Sequence, residues 1–383
     1  MNNKSAVAAG LVITLLLVTA VGGLYFYGQK KMIRDSLKQF TTAKTFYETS
    51  RWPQAEALFG EVVRKYPRSD VAPESMYYVA MIMHAGGRYE EALEKWRALA
   101  QVEDSPRAVE VDYYIGRCLE RLGRKAEAVS KYTPVAATYQ AGEFASLAKA
   151  GLARIAESED RLEEARTLYE EAMALVSTPE AFDLAERPLG DLNLRMFTRP
   201  REGEHTEAYL VKPGDSMVRI ALKHNTTVDL LCKINNIQDP ARVRPNKRVL
   251  IPNSDFSIVV DKSDFKLTLY NHDRFFTSYK VGLGKHGCTP EGDFVIGDKI
   301  KNPTWWSDEG PIPPGDPRNE LSTRWMALKP LTSGIGTDYG IHGTIDPSTI
   351  GWESSNGCPR MYREEAEELY MLVTIGTPVK IVQ

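Results

Sequence analysis

The spacing of apolar residues changes in kind along this chain, and each change predicts a different structure. Residues 6–27 carry no charge. That is the length of an α-helix able to cross a hydrocarbon core, with Tyr25 and Tyr27 where interfacial aromatics belong. Between residues 40 and 185 apolar positions recur at helical spacing, as at Ala57, Leu58, Val62 and Val63, and whole segments repeat. Arg51-Trp52-Pro53-Gln54-Ala55, Arg88-Tyr89-Glu90-Glu91-Ala92, Arg124-Lys125-Ala126-Glu127-Ala128 and Arg161-Leu162-Glu163-Glu164-Ala165 begin 37, 36 and 37 residues apart. A fixed period of this size predicts stacked helical hairpins, none able to bury its apolar face alone. Residues 186–207, with Pro188, Pro200, Gly203 and His205, read as a polar linker.

Beyond the linker, two β-like runs (208–212 and 248–251) enclose two helical patterns (216–224 and 227–234), which predicts a βααβ unit. The remainder alternates. Strands are predicted at Ser257–Val260, Lys266–Tyr270, Thr277–Val281, Phe294–Ile296, Met326–Leu328, Tyr339–His342 and Val379–Val382, with one helix at Glu364–Val373 opened by acidic residues. Gly282, Gly284, Gly287 and Gly292 punctuate a hairpin. The connection at 302–322, rich in proline and without predicted structure, reads as an active-site lid.

The chain is therefore multidomain, and 383 residues are enough for several cores. The expected parts are a membrane anchor (1–34), an all-α repeat array (35–185), the linker, the βααβ unit (208–253) and a mainly-β domain (254–383). With 43% apolar and 26% charged residues the composition is globular, and a net charge of -3 gives no reason to propose nucleic acid as a partner. Cys118, Cys232, Cys288 and Cys358 are scattered without Cys-x-x-Cys spacing, suggesting neither a disulfide framework nor a zinc site. His84 and Cys118 fall at helix-packing or surface positions; His224 and Cys232 read as surface and core of the βααβ unit. A cleaved signal peptide competes with the retained anchor, with Lys4 ahead of the apolar run and small residues near Ala20-Val21-Gly22. Lys30, Lys31 and Arg34 follow the run, so the positive-inside count by itself would leave the bulk of the chain in the cytoplasm.

Candidate chemistry concentrates between Tyr339 and Met361. His342 lies sixteen residues before Cys358, which follows Ser355-Asn356-Gly357. A thiol at its ordinary pKa is mostly protonated and needs a base and a positive field to act as a nucleophile. His342 is the candidate base and Arg360 the candidate fixed charge. Gly357 allows close backbone approach, so that amides near Cys358 could meet an oxyanion. A second His-Gly-Cys, at His286-Gly287-Cys288, is read as non-catalytic, and a His-x-Cys pair has too few ligands for zinc.

The stretch 339–361 closely resembles the signature of the YkuD-type L,D-transpeptidase catalytic domain, a histidine followed at this distance by Ser/Thr-His-Gly-Cys-x-Arg. The resemblance extends through T-P-E-G-D-F (289–294), K-N-P-T-W-W (301–306), G-P-I-P-P-G-D-P (310–317) and G-I-H-G-T (340–344), and covers roughly 256–382. It implies a β-sandwich and acyl transfer between peptidoglycan stem peptides through a Cys358 thioester, without metal or organic cofactor. Gly343 is expected to orient His342, and Ser355, Asn356, Gly357 and Arg360 to shape the oxyanion region. Tyr339, Trp305 and Trp306 are the expected substrate contacts. The chain departs from the pattern at Asn356, where the family has histidine, and at Pro359. Val211–Ser216 and Ile234-Asn235-Asn236 resemble a LysM domain, which implies binding of glycan strands near Gly214, Asp215, Ser216, Asn235 and Asn236; Ser216 and Met217 replace the usual Thr and Trp. The repeats resemble tetratricopeptide repeats, particularly through K-Y-P-R-S-D-V-A-P-E (65–74), and imply either a surface for a protein partner or a spacer. Together these imply a bacterial cell-envelope protein, anchored in the inner membrane with extracytoplasmic domains, or secreted if the N-terminus is cleaved. Hydrolysis, linkage of a protein lysine to the wall, and an inactive wall-binding scaffold stay open. A sortase would separate His and Cys further, and an NlpC-type peptidase would reverse their order.

Overall fold

The computed structural model describes residues 27–102, 107–138, 142–175, 182–199, 206–307 and 310–383. Residues 6–26 of the uncharged run lie outside these, and among the described residues no helix is long and apolar enough to cross a membrane. The chain divides into two compact units at Arg161.

The first unit is helical: α1 (27–48), α2 (Trp52–Lys65), α3 (Ala72–Ala85), α4 (Tyr89–Leu99), α5 (Ala108–Arg121), α6 (Lys125–Ala136) and α7 (Gly142–Ser158). The sequence period has a physical origin in one turn made repeatedly. Ser50, Gly87, Gly123 and Asp160, each just before a repeated arginine, adopt positive φ (58°, 75°, 74° and 59°). The amides of Arg51, Arg88, Arg124 and Arg161 then donate back to the carbonyls of Phe46, Met83, Leu119 and Ala156, the 6→1 bond of a helix ended by a left-handed residue. The alanine four residues past each arginine (Ala55, Ala92, Ala128, Ala165) is fully buried. His84 packs edge-on between Tyr89 and Tyr114, and burial pushes its pKa down to about 4. Cys118 is wholly buried; both are helix-packing residues.

The second unit opens with α8 (Leu162–Met173), so the helix that begins at the fourth repeated arginine belongs here and not with the array. The stretch read as a polar linker contains α9 (Arg187–Thr198). Pro188, read as a break, stands in the first turn, where its missing N–H would have had no helical partner. Leu189, Leu192 and Phe197 are buried. Phe197 meets Phe256 and Phe276 edge-on at 5.6 and 5.3 Å, and the Asn193 amide donates to the Phe276 carbonyl (3.0 Å).

The βααβ unit follows as β1 (Thr206–Leu210), α10 (Met217–Lys223), α11 (Val228–Ile234) and β2 (Arg248–Pro252), with β1 and β2 antiparallel. Ser216 and Thr227 cap the two helices. Val211, Met217, Ile220, Leu231, Val249 and Ile251 form its core. Leu230 points the other way and is buried in the core of the β domain. The Thr227 hydroxyl donates to the Met371 carbonyl, and Asp229 pairs with Lys301 at 2.7 Å.

The β domain comprises β3 (Phe256–Asp261), β4 (Lys266–Asn271), β5 (Arg274–Lys280), β6 (Leu283–Gly284), β7 (Gly292–Lys301), β8 (Trp305–Ser307), β9 (Gly310–Ile312), β10 (Arg324–Pro330), β11 (Gly340–Gly343), β12 (Glu353–Ser355), β13 (Arg360–Met361) and β14 (Pro378–Val382), with α12 (Arg363–Leu372). Every predicted strand has its counterpart. Where the resemblance implied a sandwich, the hydrogen bonding is that of one continuous eight-stranded sheet, β13-β11-β10-β7-β14-β3-β4-β5, whose apolar side chains share a core with α12. The connection at 302–322 is not structureless. It carries the β8–β9 hairpin, and Asn319, 2% exposed, donates to the carbonyls of Pro303, Ile312 and Pro313. One buried amide thus ties down both ends of that hairpin.

Candidate active site

Strand β11 is buried at all four positions and lies between β10, antiparallel, and β13, parallel. This register puts His342 opposite Trp325 on one side and Arg360 on the other. The imidazole stacks on Trp325 (centroids 5.7 Å apart, planes at 28°). Its Nδ1 is 2.7 Å from the Gly343 carbonyl. A carbonyl can only accept, so Nδ1 carries the proton and Nε2 keeps its lone pair, the tautomer a general base requires. Burial pushes His342 down to about 4, opposed by the Gly343 carbonyl and helped by Arg360; the Glu320 carbonyl also faces the ring and opposes the shift. The imidazole is therefore neutral at pH 7.

Cys358 leaves the turn that joins β12 to β13. Ser355, almost fully buried, closes that turn: its Oγ accepts from the Gly357 amide (3.1 Å) and donates to the Cys358 carbonyl (2.9 Å). Gly357 has φ of 120°, and a Cβ there would stand 2.5 Å from the Tyr339 ring. Only glycine meets both demands. The thiol is 3.9 Å from the Asp338 carbonyl. Burial pushes its pKa up, while the Gly340 amide aimed at the sulfur and the Arg360 guanidinium pull it down. Arg360 is held by Glu320 at 2.5 Å.

Among the expected residues, the structure brings together His342, Gly343, Ser355, Gly357, Arg360 and Tyr339. Asn356 is exposed, with no hydrogen bond to the thiol among the described residues. The Gly357 amide, expected to face an oxyanion, is instead occupied by Ser355 Oγ. Trp305 and Trp306 stand on the β8–β9 hairpin, Trp305 half-buried and Trp306 exposed. Sequence reasoning missed Trp325, Glu320 and Gly340. A tryptophan on a neighbouring strand leaves no spacing signal; the glycine in Gly340-Ile341-His342 was visible, but its reason was not. Among the described residues no three His, Cys, Asp or Glu side chains come together as a metal site.

In the βααβ unit, three of the five expected glycan contacts are committed internally. Asp215 accepts from the Tyr209 hydroxyl and the Lys212 amide (both 2.9 Å). Ser216 caps α10, accepting from the Arg219 amide. Asn235 bonds both backbone groups of Leu250 (2.7 and 2.8 Å). Gly214 (φ 85°) and the exposed Asn236 (φ 51°) shape the loops around them.

The L,D-transpeptidase catalytic-domain family (YkuD) matches residues 255–381, the LysM family residues 209–252, and a tetratricopeptide-repeat family residues 40–105 and 85–133. Over 180 residues the chain is 33% identical to YkuD of Bacillus licheniformis, which carries the name of an L,D-transpeptidase; the match takes in 45% of this chain and 97% of that one. YqjB of Bacillus subtilis, similarly named, is 34% identical over 128 residues, 32% of this chain and 69% of its own. An Enterococcus faecium L,D-transpeptidase of known structure is 24% identical, with a TM-score of 0.28 over 33% of this chain and 50% of its own length. The family matches and the likeness to the two Bacillus proteins make the chain a member of the YkuD-type L,D-transpeptidase family, carrying a LysM domain and tetratricopeptide repeats on the same polypeptide.

Proposed function

We propose that this protein is a peptidoglycan L,D-transpeptidase that forms 3→3 cross-links through a thioester on Cys358. The observation that carries the proposal is the His342 tautomer, fixed by the Gly343 carbonyl on a strand hydrogen-bonded beside the one that follows Cys358. Nε2 of His342 takes the thiol proton as sulfur attacks the carbonyl of the third residue of a tetrapeptide stem. The Cys358 amide stabilises the tetrahedral oxyanion. D-alanine leaves with the proton from His342, and the side-chain amine of a second stem attacks the thioester, forming the cross-link and returning the thiol. Burial keeps both groups neutral at rest, so proton transfer accompanies attack instead of preceding it. The LysM domain holds the enzyme to glycan strands, the repeats offer a surface to a protein partner, and the uncharged N-terminal run anchors the protein with its domains outside the cytoplasm.

The test incubates the full chain with disaccharide-tetrapeptide muropeptides and reads products by mass spectrometry, beside Cys358→Ala. Release of D-alanine with 3→3 dimers, both lost in the variant, is the expected result. Release without dimers would replace transpeptidation by hydrolysis. No product and no thioester on Cys358 would remove the catalytic reading and leave a wall-binding scaffold.

A further inference from the structure

Cys288 has no part in that mechanism, yet it stands at the nucleophile's turn. Strand β6 runs parallel to β12, so the turn at Lys285–Gly287 and the turn before Cys358 leave the same small ladder side by side. The space that a Cβ on Gly284 would need is taken from two directions, by the Cys288 sulfur at 2.5 Å and by the Gly357 α-carbon at 2.6 Å. The Cys288 carbonyl in turn lies 3.2 Å from where a Cβ on Gly357 would stand. The residue next to the nucleophile is thus packed against the second thiol's residue. The two sulfurs are near enough that charge on Cys288 raises the Cys358 pKa. Thr289, buried, fixes the far end of the turn by accepting from the Gly284 amide (2.8 Å), while Cys288 itself is exposed. The other cysteines differ. Cys118 is fully buried with its thiol pushed up to about 12, and burial likewise raises Cys232 in the LysM domain.

We propose that Cys288 is a resolving thiol that forms a reversible disulfide with Cys358 when the nucleophile is oxidised. With hydrogen peroxide as oxidant, the Cys358 thiolate attacks one peroxide oxygen, the O–O bond breaks, and hydroxide leaves as water, giving a sulfenic acid. The Cys288 thiolate then attacks the Cys358 sulfur; the S–S bond forms, the S–O bond breaks and a second water departs. The two thiols lose two electrons and the peroxide gains them. Rotation of the Cys288 side chain and a local shift of the exposed 285–287 turn bring the sulfurs to bonding distance, where Cβ atoms stand about 3.5–4.5 Å apart. The bond masks the nucleophile and keeps it from irreversible sulfinic and sulfonic acids, and a small thiol restores it.

The test treats the reduced full chain with hydrogen peroxide, blocks remaining thiols with N-ethylmaleimide, and maps tryptic peptides by mass. The expected product joins the peptides carrying Cys288 and Cys358, and dithiothreitol returns both as thiols. In Cys288→Ser or Cys288→Ala the same treatment drives Cys358 to sulfinic and sulfonic acids, and the fraction of Cys358 thiol recovered by dithiothreitol falls at least about fivefold. Peroxide-treated parent protein with Cys288 still free, or equal recovery in parent and variants, overturns the proposal. The proposal takes Cys358 as the reactive thiol of the proposed function, but the readout involves no peptidoglycan. Failure to cross-link muropeptides and failure to form this disulfide are therefore separate results.

Discussion

Acid should destabilise the β domain through the buried ring of His342. His342 has a folded pKa of about 4 against an ordinary value of 6.5, because burial penalises its charged form. A depressed histidine means that the unfolded chain takes up the proton first. Its stabilising contribution is complete above the unfolded pKa and is lost as pH falls from there toward 4. With one pKa unit worth about 1.4 kcal/mol, the loss reaches about 2 kcal/mol by about pH 5 and levels off near roughly 3 kcal/mol below the folded pKa. The assay compares urea unfolding of the parent and His342→Gln, at about pH 7.5 and about pH 5. Carboxylates common to both proteins cancel in the difference. The parent is expected to lose about 2 kcal/mol more than the variant over that interval. Equal losses, or an imidazole resonance for His342 that titrates near 6.5, would refute both the burial argument and the inference that the base stays neutral through mildly acidic conditions.

Other consequences are as direct. Burial lifts the Cys358 thiol, so its alkylation by iodoacetamide, read at its own peptide, is expected to keep rising with pH through the neutral range; a plateau near pH 6 would instead reveal a preformed thiolate–imidazolium pair. Gly357→Ala would press a methyl into the Tyr339 ring at a φ of 120°, and is expected to slow acylation of Cys358 by a carbapenem by about a hundredfold; an unchanged rate would show that the turn does not set the sulfur's position. Phe197→Ala should cost about 3–5 kcal/mol in a melt of the second unit, whereas a loose linker there would cost almost nothing. Asn235→Ala removes the pair of bonds to Leu250 and is expected to destabilise the LysM domain by about 2 kcal/mol, seen as faster amide exchange at Leu250.

The parts legible in the sequence are those with a local cause. The 36–37-residue period is visible because each hairpin needs the same buried methyl, as at Ala92 and Ala128, and the same left-handed turn. Glycine alone would have shown only half of those turns, since Ser50 and Asp160 fill the others. Strands such as β3 betray themselves by strict alternation of buried and half-buried positions. The candidate pair was legible because His342 and Cys358 fall within one short stretch. What escaped was non-local or aperiodic. Helix α9 hid behind Pro188 and its charged residues, though Leu189, Leu192 and Phe197 carry a helical stripe. Part of the order of the 302–322 connection comes from the buried amide of Asn319, which no pattern flags. Cys288 and Glu320 reach the site through pairings about 40 to 70 residues long in sequence, and such contacts leave no trace in spacing.

The seating of Leu230 in the transferase core changes what the LysM domain can be. A bead on a string explores a volume, and its reach grows with the leash. Here Thr227, Asp229 and Leu230 bolt the LysM domain to the β domain that carries the thiol. The two then act as the ends of a ruler. On the proposed function, a glycan gripped at one end offers its stems to the other at a set offset, so the choice of stem is written into the fold and not into diffusion. Exchanging this module for a relative lacking Leu230 would open a hole in the β-domain core and, with it, lose the scale.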